Sequence, residues 1–491
     1  MAEPEPDPLT GDVAALLRSA EGAARTPRAA ATLADARARL NRPLRVAVAG
    51  KVKAGKSTLL NALLGEELAA TDAGECTRVV TWYHHAQPAR VVVHTAGGAT
   101  GRPYDRSSGA LQVDLGVPAD EVDHLEVGWP SRRLADLTVI DTPGIASLST
   151  DVSARTYRAL VPGDDRPAQA DAVIYLLRHA HAGDMRFLES FHDDELAHAT
   201  TMNAVGVLSR ADEIGSCRLD ALDDAYRVAR RYRHDPRLSR VCPVVVPVSG
   251  LVGLAGETLR EEEFRALSTL AAGPGDEVRG LLLTADRFAG RPGSVAVSEL
   301  ERAYLLDRLG LFGVRLAVEL LRGGTIRDAE GLRAELVARS GLTALRAVLL
   351  TQFTARTRVL KARSALSALT AVLDAGGCAH ADDLRGGVER IRAGAHAFVE
   401  DATLTRVRSG ELRLDDDRRA ELDRLLGGSG HDDAARLGLE GGADPDDVAA
   451  AAWEALRRWQ RVAGHPLYDR EVTDAAQVAV RTLEGLITRR R

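Results

Sequence analysis

The chain has 491 residues, enough for two or three domains, and its 45% hydrophobic and 27% charged residues are typical of a globular protein. A formal net charge of −6 excludes a general attraction to nucleic acid or anionic lipid, and we expect no nucleic-acid partner. The four cysteines show no C-x-x-C spacing, the acidic N-terminus is unlike a signal peptide, and no apolar run approaches the roughly 20 residues of a membrane span.

The first predicted elements are helical. Residues 11–40 alternate apolar and charged positions at helical spacing, with a break near Thr26 and Pro27. We therefore expect two short helices before the first strand.

A phosphate-binding loop follows. Residues 50–57 match the pattern G-x-x-x-x-G-K-[ST], between an apolar run that predicts a strand (44–49) and a predicted helix (58–64). Such a unit directs backbone N–H groups and a helix N-terminus at a polyphosphate. Lys56 is expected to reach the β- and γ-phosphates, and the Ser57 hydroxyl to bind Mg²⁺. The predicted nucleotide-binding residues here are Gly50, Lys51, Val52, Lys53, Ala54, Gly55, Lys56, Ser57 and Thr58.

Lysine is rare in this chain. It occurs only at positions 51, 53, 56 and 361, and the other 60 of the 64 basic residues are arginine. Because a compact ammonium and a planar guanidinium are not interchangeable, three lysines within six residues indicate a site that needs an ammonium.

A loop after the predicted helix 58–64, here called the first switch, should supply a threonine that contacts Mg²⁺ and the γ-phosphate of the nucleotide. Thr77 is the favoured candidate, because it precedes a β-rich run at 79–83 and lies 20 residues after Ser57. Thr71 and Thr81 are the alternatives. A second β-rich run at 90–94 and a polar, glycine-rich stretch at 96–110 follow.

A D-x-x-G element at 141–144 follows the apolar strand 137–140. The Asp141 carboxylate can hold Mg²⁺ through water, and the Gly144 N–H can meet the γ-phosphate, so that this loop senses hydrolysis. We predict the metal ligands Ser57, Thr77 and Asp141, and the catalytic residues Lys56, Thr77, Lys53 and Gly144.

Base selection rests on a motif after the predicted strand 204–208, which follows a strand at 172–177 and a helix at 185–197. Asp212 is placed to accept hydrogen bonds from the guanine N1–H and 2-amino groups, a donor pair that adenine lacks. The usual Asn/Thr-Lys-x-Asp pattern is replaced here by Ser209 and Arg210, which bears on affinity more than on base identity. After a helix at 219–232 and a strand at 244–248, Ser249 and Gly250 match a loop whose backbone contacts the guanine carbonyl.

The remainder reads as helices at 256–272, 299–322, 326–339, 342–376, 382–407, 417–426, 447–463 and 470–489, with a loop at 427–446. Strands alternating with helices predict an α/β GTPase domain with a mostly parallel sheet, and the helices an all-α bundle or trunk. We predict an N-terminal helical segment (1–41) that joins the trunk, a GTPase domain (42–355) with a helical insertion around 256–335, and a helical trunk (356–491).

Taken in their order along the chain, these motifs resemble those of the bacterial dynamin-like GTPases, and most closely those of the actinobacterial isoniazid-inducible subgroup. The segments that carry the likeness are 50–65, 75–81, 141–145, 170–184, 208–215, 246–251 and 340–346. It covers most of 42–376, whereas in 380–491 only the helical character agrees. It implies GTP or GDP and Mg²⁺ as ligands, GTP hydrolysis, and a GTPase-domain dimer or larger oligomer. It also implies peripheral membrane binding or remodelling at the inner face of the cytoplasmic membrane, with a second dynamin-like chain as a further partner.

The chain departs from eukaryotic dynamins at Val52 and Lys53, where those proteins carry Gln-Ser. The Val52 side chain has no hydrogen-bonding group and so cannot orient a water molecule for hydrolysis. We hypothesise that the Lys53 ammonium replaces a bound monovalent cation at the β–γ bridge; a solvated loop lysine is the alternative.

Two other functions stay open at this point. One is a regulatory GTPase switch whose helices bind a protein effector, and the other is a poorly hydrolysing partner of a second dynamin-like chain. Helices on both sides of the GTPase domain argue against the regulatory switch. The net negative charge and the lack of a long hydrophobic segment of the kind called a paddle argue against direct membrane action.

Overall fold

The structure is a computed structural model. It describes residues 8–69, 79–106, 111–143, 170–178, 204–233, 235, 238, 242, 244–292, 295–354, 356–408, 410–428, 430 and 432–488.

The strands are β1 (Leu44–Gly50), β2 (Thr81–His85), β3 (Arg90–Thr95), β4 (Gly98–Arg102), β5 (Tyr104–Asp105), β6 (Gln112–Val113), β7 (Val122–Trp129), β8 (Leu137–Asp141), β9 (Ala172–Leu177), β10 (Ala204–Ser209) and β11 (Val244–Val248). Within the described residues, nine of them form one sheet in the order β11-β10-β9-β1-β8-β2-β7-β3-β4, and β5 pairs with β6.

The helices are α1 (Pro8–Gly22), α2 (Pro27–Arg39), α3 (Lys56–Leu64), α4 (Ala221–Arg233), α5 (Gly250–Thr258), α6 (Glu261–Ala272), α7 (Gly275–Leu281), α8 (Ala285–Gly290), α9 (Glu299–Arg322), α10 (Ala329–Arg339), α11 (Leu342–Leu349), α12 (Thr357–Asp374), α13 (Ala381–Gly394), α14 (His396–Arg408), α15 (Asp416–Leu425), α16 (Asp433–Leu437), α17 (Pro445–Ala463) and α18 (Arg470–Thr488). Short 3₁₀ turns lie at Arg132–Leu134 and Ala211–Glu213.

The centre of the sheet is parallel and buried on both faces. β11, β10, β9, β1 and β8 are parallel neighbours, and every residue of β1, β9 and β10 is buried. Val46 and Val48 pack into a core that includes α3, whereas Ala47 and Ala49 pack into the opposite core with α4. Near-continuous apolar runs are typical of such doubly covered strands. The predicted α/β fold with a mostly parallel sheet is confirmed.

One side of the sheet is more extensive than predicted. β2 runs antiparallel to β8 and parallel to β7, and β3 and β4 continue the sheet as an antiparallel edge. The polar, glycine-rich stretch 96–110, for which no strand was predicted, contains β4, whose residues are exposed or half-buried. An edge strand without a buried face carries no hydrophobic pattern, which is why the composition of β4 resembles a loop.

The helices form three further cores. α1 and α2 pack with α12 and α13 around Leu17, Leu33 and Leu369. The helices of the predicted insertion, α5 to α10, enclose Phe288 and Phe312. A bundle of α14, α15, α17 and α18 surrounds Trp459. The predicted helical bundle is therefore present, while the domain boundaries stay a prediction.

Two long predicted helices are interrupted. The single helix expected over 342–376 is wrong: α11 is followed by a π-helical turn, Leu350–Thr354, before α12 begins. At this turn the Gln352 side chain donates to the Gly428 carbonyl (3.2 Å), and Arg356 forms a buried ion pair with Asp401. Such tertiary contacts override a continuous apolar repeat. The helix expected over 382–407 also divides at Ala395, and the predicted loop 427–446 contains α16. The helix predicted at 185–197 lies outside the described residues.

A buried polar junction joins the sheet to the trunk helices. The Asp171 carboxylate, just before β9, accepts from the Arg45 backbone N–H (2.9 Å) and from the Arg39 guanidinium of α2 (2.8 Å). The same guanidinium nitrogen contacts the Ser364 hydroxyl of α12 (3.1 Å). Lys361, the one lysine outside the phosphate loop, donates to the Leu40 carbonyl (3.3 Å). The N-terminal end of β1 is thus tied to α2 and α12, and its other end leads into the phosphate loop.

We expect Asp171→Asn to destabilise the fold by about 3–5 kcal/mol, because it leaves the buried Arg39 charge without its counter-ion. Urea unfolding followed by circular dichroism measures the loss. Asp35→Asn is the matched control, since the Asp35–Arg42 pair is exposed (57% and 50% for the Arg42 and Asp35 side chains). That variant should stay within about 0.5 kcal/mol of the parent chain. Equal effects of both substitutions would contradict a junction role for Asp171.

Candidate functional site

The phosphate loop connects β1 to α3 in a conformation that its glycines permit. Gly50 (φ 149°) lies so close to β9 that a Cβ there would approach the Leu176 carbonyl oxygen to 2.9 Å. Gly55 (φ 90°) caps the start of α3, with open space where a Cβ would stand. Lys53 also has a left-handed backbone (φ 61°) and is exposed, like Val52. The loop therefore has the shape that the pattern predicts, with Lys53 at its exposed turn.

Lys56 begins α3, and its ammonium group lies inside the loop. Its Nζ donates to the carbonyl oxygens of Gly50 and Lys51, both at 3.2 Å. Burial lowers the pKa of Lys56, and the nearby Asp141 carboxylate opposes this shift. A desolvated cation that donates to two loop carbonyls can exchange these partners for phosphate oxygens.

Ser57 and Asp141 lie together beside the loop. Asp141 ends β8, which pairs with β1, and the Ser57 hydroxyl is 3.4 Å from Asp141 Oδ2. Asp141 Oδ1 is buried and has no hydrogen-bond partner among the described residues. Burial raises the pKa of this carboxyl from 3.8 to about 6, although Lys56 opposes the rise. A hydroxyl beside a buried, incompletely satisfied carboxylate is the oxygen set that Mg²⁺ prefers, so these residues fit the ion.

We expect Asp141→Asn to stabilise the chain by about 2 kcal/mol at pH 7.5, measured by urea unfolding without Mg²⁺ or nucleotide. The raised pKa means that the folded chain binds this proton more tightly than the unfolded chain. Ionisation therefore costs stability as the pH rises from about 4 to about 6. The gain in the variant should accordingly shrink towards pH 4. Exposed Asp136→Asn is the control, and a destabilised Asp141→Asn chain would contradict this assignment.

The base-recognition motif faces the loop across a cavity of about 160 Å³. Asp212 lies in the 3₁₀ turn after β10 and is only 7% exposed. Burial raises the pKa of its carboxyl, and a hydrogen bond from the Ser249 side chain opposes the rise. The cavity is lined by Ala54, Gly55, Thr58, Leu59, Leu176, Val207, Ser209, Arg210, Asp212, Glu213, Val248, Gly250 and Leu251. The structure thus places the predicted phosphate and base residues along one cleft, at the carboxyl ends of parallel strands.

Ser209 and Arg210 are held by other partners. The Ser209 hydroxyl donates to the Leu177 carbonyl of β9 (3.1 Å). Arg210 has a left-handed backbone (φ 52°), and its guanidinium pairs with Glu213 (2.7 Å), which also binds Arg178 (2.7 Å). Ser209 therefore ties the motif to the sheet, and Arg210 forms one side of an ion-pair network at the mouth of the cleft.

Sequence reasoning missed several residues in and beside this cleft, among them Leu59, Leu176 and Val207, which line it. Glu213 and Leu251 line it directly, next to residues that the motifs did indicate. Gly310 breaks the helical conformation within α9 (φ 67°, ψ 170°), and a Cβ there would lie 3.9 Å from Asp212 Oδ2. The glycine between Leu309 and Leu311 was the available signal.

Little of the two predicted switch elements lies within the described residues. Thr77 and Gly144, predicted to contact the γ-phosphate, lie outside them, as does the alternative Thr71. The other alternative, Thr81, begins β2 beside Asp141, and its hydroxyl donates to the Val79 carbonyl (3.4 Å).

Comparison with known proteins agrees with this site. A sequence profile of the dynamin family matches residues 46–182, which include the phosphate loop and Asp141. The isoniazid-induced protein IniC of Mycobacterium tuberculosis is 42% identical over 452 residues, spanning 92% of this chain and 91% of IniC. The chain belongs to the dynamin family. Its predicted resemblance to the isoniazid-inducible subgroup is confirmed by the likeness to IniC.

Other members of the dynamin family match over shorter stretches. The isoniazid-induced protein IniA of Mycobacterium tuberculosis is 34% identical over 164 residues, which are 30% of this chain and 26% of IniA. A bacterial dynamin-like protein of Nostoc punctiforme is 27% identical over 163 residues, covering 30% of this chain and 22% of that protein. Membership of the dynamin family implies a GTPase domain that binds guanine nucleotide. Across the described residues, none of the helices has both the length and the apolar character that crossing a membrane would require.

Proposed function

We propose that this chain binds GTP with Mg²⁺ and hydrolyses it, and that hydrolysis is coupled to self-assembly and to binding or remodelling of the inner face of the cytoplasmic membrane. The observation that supports this most strongly is the cleft that runs from Gly55 to the buried Asp212, next to the loop residue Ser57 and its contact with Asp141. Those groups match the parts of a guanine nucleotide in order: phosphates, metal and base.

The phosphate end supplies charge and positioning rather than covalent chemistry. Lys56 brings its ammonium to the β- and γ-phosphates in place of the Gly50 and Lys51 carbonyls. The loop N–H groups and the N-terminus of α3 hold the same oxygens. Ser57 and Asp141 would hold Mg²⁺, which when bound neutralises charge that develops on the phosphates.

The proposed coupling to assembly and membrane is supported by family membership and by the helical cores beside the GTPase domain. The test is GTP turnover of the full chain with anionic liposomes, with neutral liposomes and without liposomes, while light scattering reports assembly. We expect both turnover and scattering to rise with anionic liposomes and GTP. Fast turnover by a monomer that ignores liposomes would instead indicate a regulatory switch. Slow turnover under every condition would indicate a partner subunit, as would recovery only on adding a second dynamin-like chain.

We further propose that Lys53 supplies positive charge at the β–γ bridge. Its exposed position at the loop turn leaves the ammonium accessible to a nucleotide. Without K⁺ or Na⁺, Lys53→Ala should hydrolyse GTP about 100-fold more slowly with little change in GTP affinity. Because Lys53 has a left-handed backbone, Lys53→Gly is the matched variant: it removes the charge and suits that conformation. Normal turnover by both variants would refute the role of the charge, and loss in Lys53→Ala alone would assign the effect to the backbone.

A further inference from the structure

A second cavity lies within the trunk helices, away from the nucleotide cleft. It has a volume of about 350 Å³, is partly open to solvent, and is lined by residues of α12, α13, α14 and α18. Its walls are mainly apolar, and the side chains that form them are Leu366, Phe398, Val399, Ala402, Ala475 and Val478. Cavities of this size, apolar with a few placed polar groups, are typical of small-molecule sites.

The polar lining of this cavity contains two hydroxyls, Ser367 and Thr403, and four charged groups, of which three are cationic. Arg363, Arg392 and Arg406 line it, together with one carboxylate, Asp474. Asp474 lies 3.9 Å from Arg470, outside the cavity lining. Carboxylates also approach two of the lining arginines: Arg392 from Glu389 at 3.9 Å, and Arg406 from Glu471 at 3.3 Å and Glu411 at 3.8 Å. These carboxylates are exposed, so they offset the charges of Arg392 and Arg406 only in part.

Arg363 is the cation with an incomplete set of partners. Its Nη2 atom donates to Asp401 Oδ2 (2.6 Å), but the buried Asp401 also pairs with the buried Arg356. One carboxylate thus serves two guanidinium groups. Arg363 Nη1 is buried and has no hydrogen-bond partner among the described residues. Burial, together with the smaller effect of the Arg392 charge, lowers the pKa of Arg363 to about 10. Nη1 itself is shielded from the cavity, but Arg363 and Arg392 both line it, and an anion between them would relieve the repulsion between the two arginines.

We infer that this cavity binds an amphiphilic anion: an acyl chain against the apolar walls, with a carboxylate or phosphate head at Arg363 and Arg392. The apolar walls exclude a small hydrophilic anion, since a chain-free ligand would leave most of the cavity unfilled. The arginines exclude an uncharged or cationic amphiphile. This site is independent of the proposed GTPase function, and binding can be measured without nucleotide.

The test is calorimetric titration of the full chain with single-chain probes below their micellar concentrations. Dodecanoate and a lysophosphatidic acid with a 12-carbon chain distinguish a free fatty acid from a lipid phosphate head. Dodecanol, dodecyltrimethylammonium and inorganic phosphate test the charge and the chain separately. We expect saturable binding of one dodecanoate or one lysophosphatidic acid per chain, with each of the three control probes at least about tenfold weaker.

Substitutions test whether the ligand binds in this cavity. Arg392→Gln should weaken anion binding about tenfold, and Ala402→Trp should abolish it by filling the space. Arg390→Gln is the matched control, because Arg390 is exposed on the same helix and is not part of the lining. Arg363 is left unchanged, since its removal would disturb the buried Asp401. Absence of saturable binding by both anions would overturn the inference, as would equal binding by dodecanol or an Arg392→Gln chain that binds like the parent.

Discussion

Asp212→Asn is expected to weaken GTP binding about 100-fold, a loss of about 3 kcal/mol, because two charge-assisted hydrogen bonds to the base are lost or reversed. The neutral amide accepts only at its oxygen, and its NH₂ group would face the guanine 2-amino group. Xanthine carries an oxygen at that position, so the same variant should bind XTP more tightly than GTP. Competition of unlabelled GTP, XTP and ATP against a fluorescent nucleotide measures this exchange of preference.

The fold should survive this substitution. Asp212 is a buried carboxylate whose pKa is raised by burial, so a neutral side chain of the same size removes a desolvated charge. Asp223→Asn, on the exposed side of α4, is the control and should leave all three affinities unchanged. If Asp212→Asn lowered GTP and XTP affinity equally, Asp212 would not read the base.

Lys56→Met should reduce the GTP turnover rate about 100- to 1000-fold, the usual cost of removing one charged contact to a developing transition-state charge. Methionine keeps much of the apolar stem that α3 buries and removes the ammonium alone. Single-turnover hydrolysis separates this chemical defect from weaker binding, and thermal unfolding should shift by only a few degrees.

A guanidinium should not replace the Lys56 ammonium. Nζ reaches the Gly50 and Lys51 carbonyls inside the loop, where space is limited by the close approach of Gly50 to β9. Lys56→Arg is therefore expected to be as inactive as Lys56→Met, because the two cations differ in shape and hydration. Full activity in Lys56→Arg would show that charge alone suffices at this position.

The nucleotide half of the site could be predicted from sequence because its information is local. An apolar run, a glycine pattern and a helix fix β1, the loop and α3 within one segment. Asp141 and Asp212 were recognised because each lies at or just beyond the end of an apolar strand, and the parallel strands of one sheet bring their carboxyl ends to one edge. Spacing along the chain was therefore enough to place these residues together.

What the sequence did not disclose depends on contacts between distant segments. Spacing along the sequence does not indicate that Arg210 pairs with Glu213 or that the Ser209 hydroxyl donates to the Leu177 carbonyl, because other partners would fit the same spacing. The break at Leu350–Thr354 interrupts an apolar repeat because side chains there bond to the trunk. β7 alternates apolar and polar residues and could have been predicted, whereas β4 has no such signal.

The buried contacts of Asp171 connect the N-terminal end of β1 to the trunk helices, while its other end leads into the phosphate loop. One end enters the phosphate loop, and the other is bonded through Asp171 and Arg39 to α2 and α12. A shift of β1 on nucleotide binding would have to move these contacts or strain them, since buried ion pairs tolerate little displacement.

The central claim is that the cleft is selective for guanine nucleotide in the presence of Mg²⁺. Equilibrium titration of the parent chain with fluorescent GDP, followed by competition with GTP and ATP, tests it most directly. We predict that GTP competes at least about 100-fold better than ATP, because only guanine offers two donors to the buried Asp212 carboxylate. Equal competition by ATP and GTP would contradict it.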